Sequence, residues 1–264
     1  MNLSKRVFIQ RYCVGFSKPL LSKLFISAIG FMMLGTFGEI KKIPVARCYM
    51  ERKPATVTSS ELVKDIDGNI YHSVAIGRQV WMLENLRTTH YNDSTEIPDV
   101  KKQAVWNDLQ TGACCSYPTG SKNDRSYGKL YNWYAVNKGT LCPRGWHVPT
   151  HDDWKILVDF LGGDSVAGTA LQVFNPKHTL ISAETGLPLK FNSSGFQALP
   201  AGKRQAGFVG KGEEAWFWTS TEFCWKSGGC YMGYYVTMNF PGFKVELNEV
   251  GAKSSGFSVR CIKD

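Results

Sequence analysis

The segment "THDDWKILVDFLGG", residues 150–163, constrains the fold most, because its caps and its periodicity agree from end to end. Thr150 is a strong N-cap residue and Asp153 stands where a capping box places its acid. A helix is therefore predicted to open at His151, with Asp152 and Asp153 favoured by the helix dipole. Trp154, Leu157, Val158 and Leu161 follow at i, i+3, i+4 and i+7, an apolar stripe that must face a core, and Gly162-Gly163 ends the element. Upstream, Pro149 biases Val148 toward extended backbone, so "LCPRGWHV" enters the helix as a strand-to-helix corner. Cys142, His147 and Asp152 on this corner have the residue types of a nucleophile with its base and orienter, and His147 with His151 those of a metal pair. The spacing argues against the metal pair. The two histidines straddle the corner instead of sharing a helical face, and a zinc site needs further ligands that are not nearby. The stretch reads as a cornerstone of the fold.

Around this helix the body is built from short runs between turn residues. "LVKDIDGNIYHSVAIGRQVWMLENL", residues 62–86, alternates about Asp67-Gly68-Asn69 and again about Gly77-Arg78-Gln79, which predicts a β-hairpin and a second turn. The Asp65-x-Asp67-Gly68-Asn69 set resembles the start of a calcium loop, but Tyr71 and His72 stand where later ligands belong. Lys101–Leu109 is a short helical candidate, "YGKLYNWYAV" (127–136) an aromatic segment expected to be buried against the hairpin, and "DSVAGTAL" (164–171) a second short helix. From residue 191 onward, "GFQALPAGKR", "AWFWTSTEF", "CYMGYYVTMNF", "FKVELN" and "GFSVRCIKD" read as antiparallel strands. The expected class is α+β: one domain over residues 63–264, antiparallel strands with one or two helices, and a sheet closed by the last strand.

The formal charge of +9 invites a nucleic-acid reading, but the basic residues are concentrated at the start. Residues 1–53 hold ten Lys or Arg against Glu39 and Glu51, eight of the nine net charges, so the rest of the chain is nearly neutral and offers no footprint for phosphate backbones. The basic start flanks "LFISAIGFMMLGTFG", residues 24–38, a 15-residue uncharged run that fits a secretory signal and is short for a spanning helix. Residues 1–53 are read as a signal peptide or N-terminal anchor with a basic flank, and 54–62 as a linker. Cleavage after Gly38 is compatible with Thr36 and Gly38. Arg47 before Cys48 argues against lipidation. The expected location is periplasm, cell surface or medium, with membrane contact only through the N-terminal segment. Six cysteines remain in the body: Cys114, Cys115, Cys142, Cys224, Cys230 and Cys261. An even number in an exported domain argues for disulfides and against a catalytic thiol. "CWKSGGC" reads as a small loop closed by Cys224 and Cys230. The adjacent Cys114 and Cys115 are expected to find separate partners.

The blocks "DIDGNIYHSVAIGRQVWMLENL", "YGKLYNWYAV", "LCPRGWHVPTHDDWKILVDFLGG", "SGFQALPAGKR", "FWTSTE" and "GFSVRCIKD" resemble, in order over residues 63–264, the Fibrobacter succinogenes major paralogous (FISUMP) domain. This is a family of exported bacterial proteins, common in Bacteroidetes and Fibrobacteres, whose biochemical role is largely unassigned. The Gly-Trp-His-Val-Pro-Thr corner and the Gly-Phe-Ser-Val-Arg end also resemble formylglycine-generating-enzyme-like domains, which implies a C-type-lectin-like fold. In such a fold the last strand returns beside the early part of the domain, which implies a Cys142–Cys261 disulfide.

The function this implies is an exported or cell-surface binding module for a carbohydrate or a surface protein. Rings give large contact area and stack on sugar faces, and the expected ligand residues are Trp225, Tyr231, Tyr234, Tyr235, Asn239, Phe240 and Asn248 in the aromatic C-terminal loops. Related lectin-like proteins diversified by bacterial retroelements vary in this part of the domain, which makes a variable receptor a subsidiary reading. The alternatives are a formylglycine-generating-type oxidoreductase using Cys224 and Cys230 as a copper-binding pair, or an inert structural domain of a surface assembly. No catalytic residue, cofactor or metal is assigned. Glu213-Glu214 are read as solvated neighbours, without the opposed geometry of a glycosidase. "WND" at Trp106–Asp108 lies in a predicted helix and is read as coincidence, not as a calcium-lectin motif.

Overall fold

The computed structural model describes residues 62–117, 124–173 and 190–264. The basic flank, the apolar run 24–38 and most of the linker lie outside these residues. Among the described residues no helix is long and apolar enough to cross a membrane.

The first hairpin, β1 (Val63–Lys64) and β2 (Ile70–Tyr71), forms about the predicted turn. Gly68 sits at φ +80°, a left-handed conformation that side-chain-bearing residues rarely adopt. β3 (Ser73–Ile76) and β4 (Gln79–Met82) pair about Gly77. There follow α1 (Gln103–Asn107), β5 (Cys114–Cys115), α2 (Asp124–Tyr127), β6 (Leu130–Tyr131), α3 (Trp133–Asn137), β7 (Trp146–His147), α4 (His151–Phe160) and α5 (Ala167–Leu171). The second half holds β8 (Ala201–Arg204), β9 (Phe208–Lys211), β10 (Glu214–Phe223), β11 (Met232–Asn239), β12 (Glu246–Ala252) and β13 (Ile262–Lys263).

The architecture is α+β, mostly sheet. α4 opens where the capping box places it: Thr150 Oγ1 accepts from Asp153 N, and the Asp153 carboxylate accepts from Thr150 N at 2.8 Å. Five helices occur among the described residues instead of one or two. The unexpected α3 starts because Asn132 caps it, its Oδ1 accepting from Ala135 N at 3.1 Å, a local bond hidden within an aromatic run. Nor are all the strands antiparallel. The five-stranded sheet runs β12-β11-β10-β8-β9, and β8 lies parallel to β10 because the β8–β9 hairpin doubles back before β10 begins.

The last strand does close a sheet, in the order β3-β4-β13-β7, with Ile262 paired to both Trp81 and His147. Alternation along β10 then sorts the core. Ala215 and Phe217 face Trp154, Leu157, Trp81 and Phe196, whereas Trp218 faces Tyr131, Tyr235 and Phe257 on the other side. Cys142 and Cys261 are joined across a sequence separation of 119 inside that second layer, both nearly inaccessible.

Two buried arginines tie loops to this frame. Arg204 donates to the Val100 and Lys101 carbonyls and to Gln103 Oε1. Arg260, wholly buried, donates to Phe196 O at 2.5 Å and to Asn85 Oδ1 at 2.7 Å, with its guanidinium 4.4 Å from the Phe196 ring centre. Burial draws the Arg260 pKa down to about 9. With Gln197 O, these carbonyl oxygens take the place of a carboxylate at the two terminal nitrogens, while Nε is buried without a partner among the described residues.

Candidate binding edge

β10 runs out at Phe223, and the chain loops through Cys224–Cys230 before re-entering the sheet as β11. Within the loop, Trp225 N donates to Gly229 O at 3.1 Å and Gly228 N to Trp225 O at 3.0 Å. Gly228 and Gly229 have φ of +100° and +92°. A Cβ on Gly229 would lie 2.3 Å from the Tyr231 ring, so only glycine lets that ring lie against the loop. Lys253, which follows β12, holds the loop from below. Its Nζ donates to Cys230 O and to Glu222, and lies 4.7 Å from the Trp133 ring centre.

A series of rings connects the loop to α4. Trp225 meets Phe223 edge-on at 5.0 Å, Phe223 meets Tyr234 edge-on at 5.6 Å, and Tyr234 meets His151 at 5.0 Å. His151 is fixed in turn, its backbone N donating to Thr221 Oγ1 and its Nε2 lying 3.1 Å from Asn248 Oδ1. At the rim, Trp225 is 49 % and Tyr231 72 % exposed. The result is an open apolar platform bordered by an amide and an imidazole.

Of the residues expected from sequence, Trp225, Tyr231, Tyr234 and Asn248 fall in this region. Tyr235 does not: it is a core residue, against Trp216 at 4.8 Å and Phe257 at 5.0 Å, because strand alternation turns it to the opposite face from Tyr234. Burial pushes its phenol up to about 12. Asn239 and Phe240 lie at the far end of β11, about 20 Å along the strand. Phe240 there lines an apolar pocket with Gln172, Val173, Phe191, Pro200 and Pro241. His151 and Lys253 were absent from the expected set. The contacts of His151 and Lys253 join positions 97 and 31 apart, which no local pattern announces.

The corner is otherwise engaged. His147 Nδ1 lies 2.6 Å from Asp264 Oδ1 and its Nε2 3.4 Å from Asp153 Oδ2, while His151 turns to Asn248, so the two histidines do not converge. The Asp65/Asp67 turn holds itself. Asp65 accepts from Asn69 and Tyr71, and Asp67 from Thr88, Thr89 and His90. Partial burial alone would raise the Asp67 carboxyl, but the bonds from Thr89, Thr88 and His90 outweigh it and hold it at about 2. Cys114 and Cys115 are a correction: both are free, buried thiols, on opposite faces of β5 and in different clusters, and burial pushes them up to about 12 and about 11. Trp106 of "WND" is buried, its indole N–H donating to Ser254 O at 2.7 Å.

A family model for the Fibrobacter succinogenes major domain matches residues 74–263. The chain belongs to that family. The matched span of this Fibrobacter succinogenes major domain takes in the corner, α4, the candidate edge and both disulfides, and leaves the β1–β2 hairpin outside it. No curated protein and no solved structure matches the chain.

Proposed function

We propose that this domain is an exported binding module of C-type-lectin-like build that holds a saccharide on the platform of Trp225, Tyr231 and Tyr234, with Asn248 as the hydrogen-bonding border. The observation that carries the reading is the ring series from His151 to Trp225. It supports the exposed Trp225 on the disulfide-closed loop, with the exposed Tyr231 just past the loop's second cysteine, where rigid rings meet an apolar sugar face at small entropic cost. The lectin-like build is supported by the return of β13 between β4 and β7 and by its staple to Cys142. Export is supported by the basic and apolar leader and by the two disulfides.

A glycan array probed with the full chain, beside the Trp225→Ala variant, tests this directly. Glycan binding that the variant loses supports the platform. Binding to surface proteins alone moves the ligand class to protein. Copper-dependent oxidation of a peptide cysteine, with no glycan bound, replaces the reading with the oxidoreductase.

A further inference from the structure

The hairpin end that carries Trp225 also places two sulfurs and a carboxylate together. One ligand atom each from Glu222, Cys224 and Cys230 lies within 4.8 Å of the others, and the two cysteines are joined as a disulfide. We infer that these three residues form a redox-gated metal site: when the loop disulfide is reduced, they take a thiophilic divalent ion of the zinc type.

Three features of the fold carry this. First, the site does not depend on the S–S bond to stay assembled. Glu222 pairs with Gly233 and Phe223 with Met232 in the β10–β11 ladder, so the two limbs remain side by side after reduction. Gly228 and Gly229 in the intervening loop let the sulfurs part to the spacing a metal needs. Second, the charges balance. Two thiolates and a carboxylate bring three negative charges against a dication and the Lys253 ammonium. Lys253 occupies Oε1 of Glu222, which leaves Oε2 as the ligand atom. The same ammonium also donates to Cys230 O and so fixes the second limb of the loop. Third, access is selective. Cys224 is exposed, whereas Cys142 and Cys261 are 3 % and 0 % exposed, so a dithiol reductant reaches the loop bond before the staple. Two thiolates and one carboxylate leave a tetrahedral zinc one open position for water or an outside ligand.

The chemistry closes in two steps. A dithiol donor supplies two electrons and two protons, leaves as its own disulfide, and converts the Cys224–Cys230 bond to two thiols. The ion then displaces the two thiol protons to form two metal–sulfur bonds, and Glu222 adds its oxygen. This inference does not rest on the saccharide reading, since the ligands named here are not the platform rings.

The test is cobalt titration of the full chain after reduction with a dithiol, with peptide mapping to verify that Cys224 and Cys230 are free and Cys142–Cys261 is intact. The expected result is one equivalent of Co2+ bound with a thiolate-to-cobalt charge-transfer band that Zn2+ abolishes, and no such band in the oxidised protein. Cys13 and Cys48 remain in every variant and so serve as background. The Cys224→Ser/Cys230→Ser protein should lose the band. Glu222→Gln should keep it with affinity lowered at least about tenfold, the lower end of what even an outer-shell partner contributes. No band in the reduced chain with both thiols mapped as free, or an equal band in the double-serine protein, overturns the site. Unchanged affinity in Glu222→Gln overturns the three-ligand assignment.

Discussion

The two disulfides divide the molecule into regions with opposite logic. Cys142–Cys261 is buried, joins the corner to the final strand, and closes a long loop of chain through the core. Cys224–Cys230 closes only a short surface loop, with Cys224 and Trp225 exposed. In the chain-entropy model the first limits the unfolded chain by about 5 kcal/mol and the second by about 2 kcal/mol. The first region commits its residues to holding the fold, down to His147 between Asp264 and Asp153. The second presents Trp225 and Tyr231 to solvent. Binding and stability are therefore expected to respond to different substitutions.

The largest effect belongs to the staple. Cys142→Ala/Cys261→Ala should destabilise the domain by about 4–5 kcal/mol, read as a shift of the denaturation midpoint at constant slope. Trp154→Ala removes a fully buried indole that touches Trp81, Phe196 and Phe217, and should cost about 3–5 kcal/mol by thermal or urea unfolding. Cys224→Ser/Cys230→Ser should cost about 2 kcal/mol or less and weaken glycan binding without abolishing it, since the ladder keeps the limbs together but the loop holds Trp225 less firmly. A cost equal to that of the staple pair would erase the division between the regions.

The Asp67 knot adds a pH-dependent strand to the stable side. Its folded carboxyl at about 2 lies below the ordinary aspartate value near 4. Its contribution is thus fully present above pH about 4 and lost as pH falls through about 2. Asp67→Asn should flatten the acid limb of the stability curve in that window and leave glycan binding at neutral pH unchanged. An unaltered acid limb in that variant would remove Asp67 from the account.

How legible each region was follows from the range of its contacts. α4 could be read because Thr150, Asp153 and the Trp154-to-Leu161 stripe lie within one segment, and the hairpin turns because Gly68 and Gly77 mark them. α3 could not, since Asn132 looks like one more polar residue among aromatics. Tyr235 was misplaced because "YMGYYV" gives two adjacent tyrosines and only the register with Trp218 decides which faces inward. Charge normally predicts exposure, so Arg204 and Arg260 gave no sign that carbonyls from distant loops would bury them. At the binding edge the rings were legible by composition. Their support by His151 and Lys253 was not, because it joins residues brought together only by the finished sheet.

The most direct test sets one exposed ring against one corner residue in the full chain. Trp225→Ala and His147→Ala are compared with wild type for glycan affinity and thermal midpoint, side by side. Trp225→Ala should lose binding while its stability stays within about 0.5 kcal/mol of wild type, and folded His147→Ala should bind as wild type does. Binding that survives in Trp225→Ala and disappears in folded His147→Ala would place the site at the corner and contradict the division of the molecule proposed above.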